Sequence, residues 1–403
     1  MDSLIIGGGA AGLAAACFAS GKTVVLERLA APGRKLLATG GGRCNLTHDS
    51  DAGGIAAAFG VASRFALPAL HAFPPRDIRA FFREQGVETL VEADGCVFPV
   101  SQKASDVLGA LQRAARANGA EVRCGVRAER LVLDAGAQRV VAVETSQGAL
   151  TPRRVILAAG GQSYPELGSD GSGFALAREV GLEVVRPVPA LAGLVVAEDW
   201  VPALAGILCE RGSVRIEGGD ATKKTLNGPV LFTHKGISGP PALALSGEVN
   251  SRLQSAPCVT VRVSFRAERS VQDWLALFAA WRQTHGGRMM HNLLSGELPR
   301  ALATALCAQA GLSRAAVAQV GKKAAQTLAG LCGDCALRVT GTEGWSRAML
   351  TRGGVALREL DAQTLACKRI RNLHCAGEVV DLDAPCGGFN LTWAFASGCL
   401  AAD

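Results

Sequence analysis

Leu4-Ile5-Ile6-Gly7-Gly8-Gly9-Ala10-Ala11-Gly12 joins a short apolar run to a glycine turn and small residues, and Thr23-Val24-Val25-Leu26-Glu27 follows. This order of strand, glycine turn, helix, strand and acidic residue is the fingerprint of a dinucleotide-binding unit. Gly7 permits the tight turn, Gly9 lets backbone N–H groups approach a diphosphate, and Gly12 lets the helix pack close to the strand. The pattern predicts a doubly wound α/β fold with a nucleotide site at its first turn.

The acidic end of the second strand supplies the next predicted contact. Glu27 lies fifteen residues after Gly12, where a carboxylate can bind ribose hydroxyls. Ala10 and Ala11 begin the helix whose N-terminus carries partial positive charge for the phosphates, and Arg28 stands beside the acid. A glycine-rich turn in some other α/β domain is the alternative interpretation.

A basic, glycine-rich segment follows. Arg34 and Lys35 precede a triple glycine at 40–42, and flexible backbone beside two cations suits the diphosphate and ribityl chain of an anionic cofactor. A basic surface loop is the alternative. The predicted cofactor contacts in this segment are Arg34, Lys35, Thr39, Gly40, Gly42, Arg43, Cys44 and Asn45.

Composition indicates a soluble enzyme of two or three domains, because 403 residues exceed the usual single-domain length and 49% of them are apolar. The net charge of +7 is modest for this length and favours a solvated surface over nucleic-acid binding. Thirteen cysteines, an odd number, indicate reduced thiols and a cytoplasmic protein. No stretch has the pattern of a membrane span.

Two later strand ends add to the same site. The apolar run 153–161 ends in small residues and resembles the second fingerprint of two-dinucleotide-fold flavoproteins. The run 373–381 ends in a glycine and an acid, and in glutathione-reductase-type FAD folds the acid at this point holds the ribityl hydroxyls. A helix over about 390–401 is predicted to direct its N-terminus at the flavin pyrimidine. The predicted contacts from these and neighbouring segments are Val126, Ala159, Gly160, Gly377, Glu378, Gly388, Asn390 and Leu391.

The chain resembles the bacterial FAD-binding family that includes proteins named aminoacetone oxidases. The motifs at 33–45, 231–240 and 377–398 carry the resemblance, which extends over essentially the whole chain. It implies FAD, and a glutathione-reductase-like FAD/NAD(P)-binding Rossmann domain split by an inserted β-barrel-like domain and a small helical domain. Lys235 and Cys386 depart from the family pattern, and both positions bear on the substrate pocket.

The insertion can be bounded from the distribution of strand and helix patterns. Pro187-Val188-Pro189 interrupts the first domain, short β-like runs follow, and a Leu- and Ala-rich helical segment comes after them. We expect an FAD-binding domain over 1–188 and 352–403, a barrel-like insert over 189–268 and 335–351, and a helical insert over 269–334.

Residues for substrate chemistry are fewer. Tyr164, the only tyrosine, follows the 153–161 strand, and His234 lies in a Gly- and Pro-rich loop. Either can handle the proton of a dehydrogenation, or be a packed structural residue. Cys44 has no second cysteine about five residues away, which disfavours a flavin–dithiol relay. Cys332-Gly333-Asp334-Cys335 has no second pair for zinc, so no metal is expected.

Three functions remain open from sequence. The first is an FAD-dependent oxidoreductase that transfers a hydride between a small organic substrate, such as an aminoketone, and flavin. The second is a NAD(P)H-dependent flavin reductase of an enone or ketone, with NAD(P)H bound transiently because the insert has no second complete fingerprint. The third is a flavin-loaded binding protein or an RNA-associated auxiliary protein. The expected partner is a small molecule, without nucleic acid or membrane.

Overall fold

The computed structural model describes residues 1–218 and 225–403, and the chain divides into two units. Unit 1 comprises Met1–Val188 and Met349–Asp403, and unit 2 comprises Pro189–Ala348. Unit 2 is therefore an insertion between two segments of chain that fold together.

The elements are numbered in chain order. The strands are β1 (Ser3–Ile6), β2 (Thr23–Glu27), β3 (Thr47–His48), β4 (Thr89–Val91), β5 (Cys96–Pro99), β6 (Glu121–Cys124), β7 (Ala128–Leu133), β8 (Val140–Thr145), β9 (Gly148–Leu150), β10 (Arg154–Leu157), β11 (Val184–Ala190), β12 (Leu194–Val196), β13 (Leu208–Ile216), β14 (Leu226–Phe232), β15 (Gly236–Ser238), β16 (Val259–Ser264), β17 (Cys335–Thr342), β18 (Leu350–Val355) and β19 (Leu373–Cys375). The helices are α1 (Ala10–Phe18), α2 (Arg34–Ala38), α3 (Ala52–Ala57), α4 (Ser63–Ala72), α5 (Pro75–Glu84), α6 (Ala104–Ala117), α7 (Ser172–Glu179), α8 (Pro240–Leu253), α9 (Val271–Thr284), α10 (Met290–Leu294), α11 (Arg300–Gln309), α12 (Lys322–Gly333) and α13 (Phe389–Ala402).

A five-stranded parallel sheet in the order β19-β10-β1-β2-β6 forms the centre of unit 1. Its strands are nearly continuous apolar runs, and Leu4, Ile5, Val24 and Val25 are fully buried, as expected for a sheet covered on both faces. Because all five strands run the same way, the segments after β1, β2, β10 and β19 meet at one edge. The predicted Rossmann fold is confirmed.

Helices α1 and α13 pack against each other beside this sheet. Small side chains make the close approach possible, and a Cβ on Gly398 would lie 2.3 Å from the backbone oxygen of Ala11. The C-terminal helix is therefore fixed to the first helix of the fingerprint. Unit 1 also contains two small antiparallel sheets, β3-β5-β4 and β7-β8-β9.

Unit 2 contains a closed barrel in the order β12-β15-β14-β13-β16-β17. The alternation in β16 explains why it forms: Val259, Val261 and Val263 are buried while the residues between them are partly exposed. Helices α9 to α12 follow β16 and lead back to β17, with Trp274 and Leu328 fully buried among them. A barrel with a helical excursion is thus inserted into the Rossmann unit, as the fold prediction requires.

Across the described ranges, no helix has both the length and the apolar character needed to cross a membrane. Within those same ranges, no group of three or more His, Cys, Asp or Glu side chains is arranged to hold a metal ion.

Candidate cofactor-binding site

Two glycines of the fingerprint, Gly7 and Gly12, are required by close backbone contacts. Gly7 has φ 110°, and a Cβ there would lie 2.4 Å from the carbonyl oxygen of Ala158. A Cβ on Gly12 would lie 1.8 Å from the carbonyl oxygen of Gly7. Gly9 is different, because a Cβ built on it would meet no atom within 4 Å. The turn is therefore closed on its protein side and open at Gly9, which is the shape that a bound diphosphate needs.

Glu27 joins the end of β2 to this turn. One carboxylate oxygen, Oε2, accepts a hydrogen bond of 3.0 Å from the Gly8 N–H, and Oε1 accepts one of 2.8 Å from the Leu29 N–H. The side chain is 9% exposed and lines the same cavity as the turn. Glu27 thus fixes the loop geometry, and its contact with a ribose stays a prediction.

Arg28 is held by the segment that follows β10. Its guanidinium lies 3.1 Å from a carboxylate oxygen of Asp170 and donates to the carbonyl oxygens of Pro165 and Gly168. Burial raises the pKa of Asp170, but hydrogen bonds from Ser172 and the nearby guanidinium groups outweigh it and leave this pKa below its ordinary value. The arginine therefore fastens the 165–170 segment beside Glu27.

Lys35 and Glu378 come from distant parts of the chain and form an ion pair. The Lys35 Nζ lies 2.5 Å from Glu378 Oε2 and 2.5 Å from Ser163 Oγ. Glu378 Oε1 accepts hydrogen bonds from Ser163 Oγ at 3.0 Å and from the Thr351 N–H at 2.8 Å. Ser163 and Thr351 were not among the predicted site residues. The one sequence signal near them is the Gly353-Gly354 pair that follows Thr351, where the chain returns to unit 1.

One elongated cavity in unit 1 brings together most of the predicted cofactor contacts. It runs along the carboxyl edge of the parallel sheet and continues to the first turn of α13. The predicted residues that line it are Gly7, Gly9, Ala10, Ala11, Glu27, Arg28, Arg34, Lys35, Thr39, Val126, Ala159, Gly160, Glu378, Asn390 and Leu391. The open turn, the acid at the end of β2 and the cationic α2 provide groups for the diphosphate, the ribose and the ribityl chain, so these residues fit FAD.

Other predicted contacts lie away from the lining of this cavity: Gly12, Gly40, Gly42, Arg43, Cys44, Asn45, Gly377 and Gly388. Arg43 is paired with Glu92 at 2.7 Å and lies 4.0 Å from the ring centre of Phe98. The Asn45 amide oxygen accepts from the Val97 N–H. The direct contact of these residues with cofactor stays a prediction.

The residues predicted to carry proton chemistry lie in different units. Tyr164 is half-buried in unit 1 with φ 53°, immediately before the 165–170 segment that Arg28 holds. His234 and Lys235 are exposed at a turn of unit 2, where the Thr233 hydroxyl accepts from the Lys235 and Gly236 N–H groups. Their catalytic roles stay predictions.

The loop before α13 is closed by a side chain. Asn390 accepts a hydrogen bond of 2.9 Å from the Ala384 N–H and donates one of 2.8 Å to the Ala384 carbonyl oxygen. Cys386 lies in this loop and is exposed. The double hydrogen bond fixes the loop against the first turn of the helix, so Asn390 shapes this end of the cavity.

The fold and the cavity define a flavoprotein of the Rossmann class. The sequence profile described as "HI0933-like protein Rossmann domain" matches residues 1–403, and the chain belongs to this HI0933-like family. The family predicted from the motifs and its cofactor, FAD, are thereby confirmed, and the chain is an FAD-dependent oxidoreductase.

Named relatives match the chain along nearly its full length. A 3-dehydro-bile acid delta(4,6)-reductase of Clostridium scindens is 32% identical, over 98% of this chain and 97% of the relative. A ribosomal RNA dihydrouridine synthase of Escherichia coli is 28% identical, over 98% and 96%.

Solved structures agree on the fold. A 3-ketosteroid delta1-dehydrogenase from Sterolibacterium denitrificans has a TM-score of 0.52 at 13% identity, covering 100% of this chain and 98% of that chain. A quinol-fumarate reductase has a TM-score of 0.50 at 15% identity, covering 100% and 70%. At these identities the similarity shows the fold alone.

Proposed function

We propose that the chain reduces a carbon–carbon double bond conjugated to a carbonyl group, with a dihydronicotinamide as the reductant. The supporting observation is that two relatives with different substrates share one reacting group. A 3-dehydro-bile acid with double bonds at positions 4 and 6 is a conjugated ketone, and the uracil ring reduced in dihydrouridine formation carries a C5=C6 bond conjugated to a carbonyl.

The reaction balances without a further reagent. The dihydronicotinamide gives up a hydride equivalent and becomes a nicotinamide cation, while the conjugated carbonyl gains that hydride equivalent and one proton and becomes saturated. FAD, when bound, supplies the two-electron redox chemistry between the two. The chain's residues would bind and orient these groups. Asn390 and Leu391 line the cavity in the first turn of α13, and N–H groups at a helix start would favour negative charge on the reduced cofactor.

Anaerobic reduction of the bound flavin is the test. We expect NADH or NADPH to bleach the flavin absorbance, and a 3-oxo-Δ4 steroid or a uracil-containing RNA to restore it. Bleaching by aminoacetone without restoration by either conjugated carbonyl would instead support the aminoketone oxidase suggested by the family resemblance, and would overturn this proposal.

The conjugated carbonyl could be a small molecule or a base within RNA, and a charged surface favours RNA as the second candidate substrate. Between residues 274 and 333 the sequence has one acid, Glu297, which is paired with Arg266 and Arg269. Several exposed cations lie at the C-terminal end of α9, at the N-terminal end of α12 and in the segments between these helices. They make no ion pair with any residue that the structure describes. We call them the basic tip: Arg282, Arg288, Arg314, Lys322 and Lys323.

The topology places the basic tip at one end of the helical part. The α9 and α12 helices run antiparallel, since Gly333 at the end of α12 lies beside Val271 at the start of α9. The segments 286–290 and 315–318 are joined by backbone hydrogen bonds, including Val317 N–H to the Arg288 carbonyl oxygen at 2.9 Å. An acid-free cationic surface of this kind attracts phosphate backbones. The modest net charge favoured a solvated surface over nucleic-acid binding, and RNA binding by the basic tip would contradict that expectation.

Charge reversal separates the two substrate classes. We expect Arg314→Glu to weaken salt-sensitive RNA binding several-fold if RNA is the substrate, while Arg64→Glu, an exposed arginine of unit 1, leaves it unchanged. Equal RNA binding by both variants, with steroid reduction retained, would remove the RNA candidate and leave the small conjugated carbonyl.

A further inference from the structure

The Lys35–Glu378 ion pair belongs to a buried network whose other members line no part of the cofactor cavity. Ser163 is fully buried and Thr351 is 2% exposed. The Thr351 Oγ1 accepts hydrogen bonds from the Gln162 N–H at 2.8 Å and the Ser163 N–H at 3.2 Å. Thr351 therefore holds the backbone that carries Ser163, and its own N–H holds Glu378.

The directions of both hydrogen bonds at the Ser163 hydroxyl follow from its partners. The Ser163 hydroxyl has one hydrogen, and its short contacts are to an ammonium group and a carboxylate. It therefore accepts from Lys35 and donates to Glu378. Glu378 then receives hydrogen bonds on both oxygens, and its charge is balanced by Lys35. The side chains of Lys35 and Glu378 are 21% and 15% exposed, so the pair is only partly hydrated.

The backbone is shaped to admit this network. A Cβ on Gly161 would lie 2.2 Å from Thr351 Oγ1 and 2.8 Å from Glu378 Oε1. No other residue type leaves room for both groups. Gly161 is therefore required because a side chain would clash with Thr351 and Glu378, and not because its backbone has a positive φ.

We infer that Ser163 and Thr351 are positioning residues that present Lys35 and Glu378 to FAD as one electrically neutral pair. FAD carries a negatively charged diphosphate, so an unbalanced carboxylate beside it is unfavourable and a balanced one is not. Removing one partner of a buried pair leaves an uncompensated charge, whereas removing both does not. The pair is therefore predicted to act as a unit in cofactor binding.

A double-mutant cycle on the 403-residue chain tests the inference. The readout is the dissociation constant of FAD, measured by flavin fluorescence on titration of the cofactor-free protein, with the flavin absorption spectrum recorded at saturation. We expect Lys35→Met to weaken binding by about tenfold or more, because it leaves the Glu378 carboxylate unbalanced beside the diphosphate, and the addition of Glu378→Gln to recover part of that loss. Losses that multiply would show two independent contacts and overturn the inference.

The positioning residues need variants that preserve shape. Thr351→Val keeps the N–H that Glu378 accepts from but removes the acceptor for two backbone groups, so we expect weaker FAD binding and an altered flavin spectrum, both restored in Thr351→Ser. Gly161→Ala should have the same effect, while Gly136→Ala, whose added methyl meets nothing within 4 Å, should have none. Unchanged FAD affinity in Thr351→Val and Gly161→Ala, in protein of normal melting temperature, would overturn the positioning role.

Discussion

Gly12 lies so close to Gly7 that a Cβ on Gly12 would sit 1.8 Å from the Gly7 carbonyl oxygen. Gly9, three residues earlier, has no atom within 4 Å of the position of a Cβ and has an extended backbone with φ −84°. Two glycines of one fingerprint therefore have different physical roles: one allows helix and turn to pack, and the other leaves space for the ligand.

Gly12→Ala and Gly9→Ala should separate folding from cofactor binding. We expect Gly12→Ala to lower the free energy of unfolding of the cofactor-free protein by about 2 kcal/mol or more, because the turn must move. Gly9→Ala should leave that free energy nearly unchanged and weaken FAD binding about tenfold or more, since its methyl occupies ligand space. Urea unfolding and FAD titration measure the two effects. Equal loss of stability in both variants would contradict this division.

Glu27→Gln should weaken the first turn. A glutamine amide has one oxygen, so it cannot accept from both the Gly8 and the Leu29 N–H groups. We expect the free energy of unfolding to fall by about 1–3 kcal/mol and FAD binding to weaken with it. Glu129→Gln, at an exposed position in β7, is the matched control and should change neither quantity. A Glu27→Gln protein with full FAD affinity would remove Glu27 from the site.

His374 should make the protein less stable as the pH falls below neutrality. Burial, with the nearby Arg154 guanidinium, lowers the pKa of His374 from 6.5 to about 4, and its buried Nδ1 has no hydrogen-bond partner among the described residues. Between those pH values the unfolded chain binds a proton that the folded chain does not. Stability is therefore unaffected above about pH 6.5 and falls below it, by at most about 3 kcal/mol near pH 4.

Urea unfolding at pH 7 and pH 5 measures this loss. We expect His374→Asn to lose less stability than the unsubstituted protein between the two pH values. His71→Asn, at an exposed position, should behave like the unsubstituted protein. Identical pH dependence in all three proteins would refute the assignment.

Cys44 should be inert to alkylation in the folded protein. It is fully buried, and burial raises the pKa of its thiol to about 12. Iodoacetamide at about pH 8, followed by peptide mass spectrometry, should modify exposed Cys124 and leave Cys44 unmodified. Cys44→Ala should still allow flavin reduction. Rapid labelling of Cys44, or loss of flavin reduction in the alanine variant, would reopen a thiol role.

The parts of the site that sequence predicted are those fixed by parallel topology. Glu27 ends a buried strand, and Gly7, Ala159 and Glu378 follow buried strands. Parallel strands bring those ends to one edge whatever lies between them. A strand pattern that ends in a small or acidic residue was therefore sufficient to predict that these residues lie together at this edge of the sheet.

The remaining contacts depend on tertiary packing that no local pattern encodes. Thr351 lies on the strand that returns from unit 2 and meets Ser163 across a separation of 188 residues. The Arg43 guanidinium is paired with Glu92 and lies over the ring of Phe98, contacts that the basic glycine loop did not predict, and its contact with cofactor stays a prediction. The sequence predicts the basic glycine loop, but it does not predict which neighbouring residues each side chain of the loop contacts.

The central sheet joins strands that are far apart in the sequence and are therefore synthesised at different times. Strand β10 hydrogen-bonds to β1 on one side and to β19 on the other, with Ile156 opposite both Ile5 and His374. During translation the ribosome delivers the first of these partners hundreds of residues before the last. A nascent chain that has emerged only as far as unit 2 therefore lacks one side of the nucleotide cradle, and we expect flavin to bind only after β19 and α13 have been synthesised.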